Sequence, residues 1–549
     1  MTTTTALPTP ARVGSGGWRT GFTGTTALLR LALRRDRVLA TCWILVFVAM
    51  AAGSAAASQG VYPTQQARVR AASAINDTPA MVALYGRVFD PTSLGAVSLI
   101  KLGAFGAALV ALVAIFSVVR HTRGEEEAGR LELVGAAVVG RYSALTAALL
   151  LAIGTSIVLA LLTALSLVGA GLPADGALAF GLSWAGAGVA FAAIGALAAQ
   201  VTESARTANG IGAAVLAVAY LLRATGDVTG VDDSTWPSWL SPIGWAQQVR
   251  PFAGDRWWVL VNLLVFAALV AAAAYALVAR RDHGAGLVAA RPGRAAAQPR
   301  LRSPLALAAR LHRGALVGWL VGMALGGLLF GSIASQVGAL ADTPEAREMI
   351  RRLGGERGLT DAFLATELGI LGVVVAAYGI SAALRMRGEE TAGRLEPVLA
   401  TGVGRLRWAA SHVIVALGGA ALLLVTVGLG AGFAHGAATE NFGEIGRVLA
   451  AALVQLPAVW VLTGITVLLV GAAPRLAVLS WAALVLFLLL GQLGSLMRLP
   501  GWMIDLSPFG HTPKLPGAEL ELTPLVSLTL IAAILLTVGL SAFRRRDIG

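Results

Sequence analysis

The chain has 549 residues, of which 57% are hydrophobic and only 13% charged, and its mean hydropathy is +0.76. A soluble domain of this size needs about twice that charged fraction to cover its surface, so a soluble enzyme is excluded. The net charge of +13 does not point to nucleic acid, because the arginines cluster beside apolar runs, as membrane topology requires.

The first residues, MTTTTALPTPARVGSGG, are polar. The first apolar run starts near Leu39, too late for an ordinary cleaved signal peptide, so it is expected to stay as a helix. The single cysteine, Cys42, lies in that run, which leaves no disulfide framework and no thiolate zinc site. Twelve runs are long enough to cross a bilayer, each needing about 20 apolar residues. They lie at 39–58, 93–118, 143–170, 177–201, 208–223, 257–279, 314–336, 362–384, 408–434, 447–471, 475–495 and 522–543. The fifth is the weakest, caught between Arg206 and Arg223, and is expected to stop short of the far interface. The 66 glycines and abundant alanine suit helices that approach closely in lipid.

With the N-terminus inside, roughly 28 of the 42 basic residues fall on inside segments, which predicts an inner-membrane protein with both termini cytoplasmic. Before the first and seventh runs stand LLRLALRRDR (Leu28–Arg37) and LALAARLHR (Leu305–Arg313). They read either as amphipathic helices lying in the inner interface or as plain basic flanks.

The halves repeat. RGEEEAGRLELVGAAVVGR (Arg123–Arg141) aligns without a gap to RGEETAGRLEPVLATGVGR (Arg387–Arg405), with 14 of 19 positions identical. Leu240-Ser-Pro-Ile-Gly244 matches Leu506-Ser-Pro-Phe-Gly510, and Arg280-Arg-Asp282 matches Arg545-Arg-Asp547. The expected architecture is an all-α polytopic membrane protein with twelve transmembrane helices in two parallel six-helix repeats. Its parts are a first half over 1–282, a basic cytoplasmic linker over 283–303 and a second half over 304–549.

The repeated loops follow the second and eighth runs. Glu126 and Arg130 are four residues apart, as are Glu390 and Arg394, an order that favours a surface ion pair on a short helix. Such a pair contributes only a few tenths of a kcal/mol, so local stability does not account for two near-identical copies. Glu125, Glu132, Glu389 and Glu396 are then expected to face the cytosol or another protein.

The R-x-E-E-x-x-G-R-L-E pattern, followed by V-G-R, resembles the coupling-helix loop of ABC-2 type exporter permeases. The double-length form resembles the polyketide-antibiotic (tetronasin-type) exporters of actinobacteria and, in architecture, type V ABC exporters. The resemblance implies external segments before the sixth and twelfth spans, at Arg223–Arg256 and Ser495–Glu521. It implies that Arg123, Glu125, Glu126, Gly129, Arg130, Glu132, Arg387, Glu389, Glu390, Gly393, Arg394 and Glu396 couple to a separate ATPase. The near-identity of the loops favours an ATPase homodimer. No cofactor is expected in this chain, ATP and magnesium belonging to the partner, because neither Lys101 nor Lys514 follows a glycine and no phosphate-cradling loop exists. The implied cargo is a hydrophobic or amphipathic small molecule, moved outward. The alternative is a proton-coupled secondary antiporter of the facilitator type, whose loop, however, is rich in basic residues after an aspartate.

Within the membrane, Lys101 and Glu367 lie 22 and 20 residues before Arg123 and Arg387, at the outer interface. They read either as interfacial charges or as a latch on an external gate. Trp43, Tyr378 and Gln455 beside Pro457 are candidates for a cavity wall, with helix packing as the plainer reading. The six histidines show no ligand spacing, and neither HExxH nor G-x-S-x-G occurs.

Overall fold

The computed structural model describes residues 18–130, 139–230, 233–281, 284–288, 296, 301–334, 355–493 and 500–547. The chain divides into two compact units, Met1–Gly293 and Arg294–Gly549. Among the described residues the regular structure is helical, and eleven helices are long and apolar enough to cross a bilayer. Of the predicted 283–303 linker, only 284–288, 296 and 301–303 are described.

In the first unit the long helices are α1 (Thr25–Val61), α4 (Leu94–His121), α6 (Ser143–Gly169), α7 (Ala174–Val201), α8 (Ala205–Thr229) and α11 (Trp258–Arg280). Between α1 and α4 stand two short helices that apolar periodicity did not reveal, α2 (Gln65–Asn76) and α3 (Pro79–Tyr85). After α4 comes a single turn, α5 (Arg123–Glu127), and between α8 and α11 lie α9 (Trp236–Trp239) and α10 (Pro242–Gln248). The most enclosed is α7, packed against α4, α6, α8 and α11. Its composition explains the place: Gly181 and Gly195 let the backbones of Ala160 and Ile115 come close, and Gly176, Gly186 and Gly188 make room for Phe252, Leu263 and Ser156. A methyl group on Gly195, for example, would meet the backbone of Ile115 at 3.1 Å.

The second unit has α12 (Pro304–Ala334), α13 (Gly355–Thr391), α14 (Leu395–Leu399), α15 (Arg405–Ala438), α16 (Glu444–Leu453), α17 (Leu456–Ala472), α18 (Leu479–Leu493), α19 (Gly501–Ile504) and α20 (Leu522–Arg545). The pairings follow the first unit: α12 on α15, α13 on α15 and α17, α20 on α17.

Four expectations gain detail. The eleventh apolar run, 475–495, gives a 3-10 turn at Pro474–Leu476 and then α18, whose 15 described residues are fewer than a span needs, while 494–495 lie outside the described residues. The tenth run is one candidate span, Glu444–Ala472, interrupted at Val454 and Gln455 because Pro457 has no N–H to continue the ladder. The fifth does not stop at Arg223. There α8 runs on to Thr229, and the fully buried guanidinium donates to Val82 O (3.3 Å) and Leu84 O (3.2 Å) at the end of α3. Asp227 at 3.5 Å and the Tyr220 ring at 4.3 Å complete its surroundings. Finally, Leu28–Arg37 and Leu305–Arg313 are not set off as separate helices. No glycine or proline interrupts them, so they form the opening turns of α1 and α12.

Candidate functional site

The repeated loop begins where α4 gives way to α5 in the first unit and at the last turn of α13 in the second. In both copies the helix ends on a left-handed glycine: Gly129 has φ 67° and Gly393 φ 66°. The N–H of each donates to the carbonyl three residues back, Glu126 O and Glu390 O, at 2.9 Å. In the second copy the Arg394 N–H also reaches Glu389 O at 3.0 Å. These bonds satisfy carbonyls that a helix terminus otherwise leaves bare. A Cβ at either glycine would meet nothing within 4 Å, so the backbone conformation, not crowding, calls for glycine.

The expected Glu126–Arg130 and Glu390–Arg394 pairs do not form. Arg130 lies 3.6 Å from Glu125, and Arg394 lies 2.7 Å from Glu389. The glycine turn swings each arginine back past its intended partner, onto the preceding carboxylate. Glu126 and Glu390 point inward instead. Glu126 pairs with Arg123 at 2.6 Å and accepts two hydrogen bonds from Arg281, at 2.5 and 3.0 Å. Glu390 pairs with Arg387 at 3.1 Å and Arg546 at 2.6 Å. Arg281 and Arg546 belong to the third repeated anchor, so two motifs far apart in sequence meet in each unit.

The far end of the loop is tied to the same place. Arg141 donates to Val278 O (2.8 Å) and Arg281 O (2.5 Å), and Arg405 donates to Arg546 O (2.9 Å). In both units, therefore, the loop between the second and third long helices is held at both ends to the terminus of the last one.

Glu125 and Glu389 do not stand free toward solvent as expected. Glu125 is held by Arg35 of α1 as well as Arg130, and Glu389 is buried with Arg394 and Arg385, the latter at 3.4 Å. Glu396 is exposed, and Glu132 lies outside the described residues. The outward face of the first copy is Glu127, Ala128 and Arg130; that of the second is Gly388, Thr391, Ala392, Arg394 and Glu396.

The candidate pathway residues are divided between the two units. Lys101 is exposed in the second turn of α4, 6.0 Å from the Tyr85 ring centroid, at the end opposite the loop. Glu367 is half-buried in α13 of the other unit. Gln455 packs on Gly372 and accepts a hydrogen bond from Thr512 at 3.2 Å, so it braces the joint between α16 and α17. Tyr378 is buried against Gly419, with Trp319 edge-on at 6.0 Å. Trp43 does line a cavity of about 230 Å³ between α1, α4 and α6, closed at the loop end by Asp36 and Arg120. Asp36 was not foreseen: it is buried, 2.6 Å from His121 and 3.0 Å from Arg120. Seven residues before Trp43 stands Asp36, and seven before Trp319 stands His312, which bonds His412 at 3.1 Å. The second unit thus places a histidine pair where the first places a carboxylate.

A helical protein with many spanning helices and no G-x-x-x-x-G-K-[ST] phosphate loop has the character of a membrane permease, multi-pass by its apolar helices. The family model described as "Multidrug efflux system permease Rv1217c, C-terminal domain" matches residues 26–278 and 301–544. The chain belongs to this family. It is also 46% identical over 531 residues to the "Multidrug efflux system permease protein Rv1217c" of Mycobacterium tuberculosis (strain ATCC 25618 / H37Rv), covering 96% of each chain.

Proposed function

We propose that the chain is the membrane subunit of an ATP-driven exporter, powered by a separate ATPase, present as two like copies, that docks on the outward faces of the two loops. In this reading the cargo is a hydrophobic or amphipathic small molecule; the relative is named a multidrug efflux permease. The α18 segment counts as the eleventh of twelve spans, both termini are cytoplasmic, and the two six-helix halves run parallel. One observation carries the reading: the same short, charged, glycine-ended turn stands at the same end of the second long helix in both units. A rigid turn with an exposed face is what a soluble motor needs in order to move the helices it joins. The family's efflux role supplies the rest.

The test is co-purification with a Walker-motif ATPase, followed by reconstitution into vesicles. The chain alone should export a lipophilic dye under neither ATP nor a pH gradient, whereas the complex should export it with ATP. Export by the isolated chain on a proton gradient would instead favour a secondary antiporter. That second reading has its own observation, a titratable cluster in the second unit. Arg447 pairs with Asp361 and, at 3.0 Å, with Glu444, close to the buried His435.

A further inference from the structure

Arg281 and Arg546 stand outside the repeated loop, yet each closes on its inward carboxylate from 155 and 156 residues away along the chain. We infer that they are positioning residues that carry a displacement of the loop into the last long helix of their own unit. The inference rests on the exporter reading and deepens it.

Three observations support it. First, the link is doubled: the Arg281 guanidinium grips Glu126 while the Arg281 carbonyl accepts from Arg141, and Arg546 repeats the arrangement with Glu390 and Arg405. A load on either end of the loop therefore meets the end of α11 or α20. Second, the link is stiff. Glu126 and Glu390 are 10% and 4% exposed, and Arg281 is fixed further by Gln200 Oε1 at 2.7 Å. Arg281 meets Glu126 through two hydrogen bonds, a charge-assisted contact that holds both distance and angle, whereas Arg546 meets Glu390 through one. Third, the ten-residue core differs between copies at one position, Glu127 against Thr391, and that position is exposed. The paired positions Arg123/Arg387, Glu126/Glu390, Arg141/Arg405 and Arg281/Arg546 are the same in both. Contacts within each unit thus account for the identity at these inward positions, while the exposed pairs Ala128/Ala392 and Arg130/Arg394, shared as well, are left for a partner.

Because α11 and α20 pack mainly along α7 and α17, the most enclosed helices of their units, moving them shifts the core as well as the loop's own neighbours. A loop joined only through the chain would drive only the second and third long helices.

The experiment uses the permease–ATPase complex in vesicles, with Arg281→Glu, Glu126→Arg and the swapped double variant, and Arg281→Gln as a milder change. Spin labels replace Leu269 of α11 and Val218 of α8, both exposed, in a Cys42→Ser background. We expect each single variant to assemble and hydrolyse ATP, to lose dye efflux by at least about fivefold, and to lose the nucleotide-dependent change in label distance. The swap should recover both readouts in part, because Arg123 still faces position 126. Normal efflux from Arg281→Gln would overturn the inference, as would an assembled, thermally normal swap that does not transport. Should a single reversal fail to insert, the swap and Arg281→Gln decide on the same criteria. A wild-type chain that binds no ATPase would count against the exporter reading itself, whereas these outcomes in a working complex count only against the load path.

Discussion

The two copies of RGEE-x-AGRLE share nine of ten residues and end on the same glycine turn, yet they sit in different surroundings. In the first, Arg123 is 1% exposed and donates to Ala199 O (3.0 Å), Gly284 O (3.3 Å) and Ala285 O (3.1 Å). The start of the linker folds over it, with Leu287 and Val288 donating to Gln200 O and Val201 O at the end of α7. In the second, Arg387 keeps 29% of its side chain exposed. The helix itself differs too. At Thr122 the first copy breaks, its hydroxyl bonding back to Val118 O at 2.7 Å; Met386 at the matching position has no such group, and α13 runs straight through. Repeated chemistry and repeated environment are separate properties: the inner ion pairs recur, while their cover does not.

That contrast can be broken or sharpened by substitution. The largest effect should come from Arg123→Ala, which leaves three carbonyls bare in a buried place and Glu126 with Arg281 as its remaining partner, and should cost about 2–4 kcal/mol. Arg387→Ala, partly solvated, should cost about 1 kcal/mol or less. Thermal melts of the two purified variants would measure the gap, and equal losses would mean that the cover over Arg123 is immaterial. Next, Gly129→Ala and Gly393→Ala should each cost about 1–2 kcal/mol, because a left-handed backbone is strained for alanine in both copies alike. Here a large difference between the two melts would show that the turns are not equivalent.

A smaller and one-sided effect is expected at the single differing position. Glu127 accepts the Ala205 N–H at the start of α8 at 3.0 Å, so Glu127→Thr should destabilise by roughly 0.5–1 kcal/mol, while Thr391→Glu should be close to neutral. Smallest of all, Arg130→Ala removes an arginine 53% accessible and should shift the melt by less than about 0.5 kcal/mol, while Arg394→Ala, though 59% accessible, leaves the buried Glu389 with Arg385 alone and should cost about 1 kcal/mol. If the outward face binds an ATPase, these two should weaken that binding more than they weaken the fold, which a pull-down titration would read.

Much of this was legible in the residues. Apolar runs of spanning length placed the long helices, since exposing that much apolar surface to water is untenable, and the gapless match of Arg123–Arg141 to Arg387–Arg405 located the loops. The errors arose where a residue's partner is distant in sequence. Arg223 looked like the end of a span because a charge in an apolar run is costly; the carbonyls of α3 and Asp227 remove that cost, and nothing near Arg223 in the sequence announces α3. Asp36 passed unremarked within Leu28–Arg37, because His121 and Arg120, which meet it, lie far along the chain. The four-residue spacing of Glu126 and Arg130 suggested a surface pair, because spacing knows only the local helix.

By itself, then, the sequence determined that this is a helical membrane protein carrying repeated motifs, because hydropathy and repetition are properties of the chain read residue by residue. Which carboxylate meets which arginine was decided only by the tertiary structure. An ion pair depends on distance in space, and the glycine turn together with the return of the last helix brings Arg281 and Arg546 to carboxylates that local geometry assigns elsewhere.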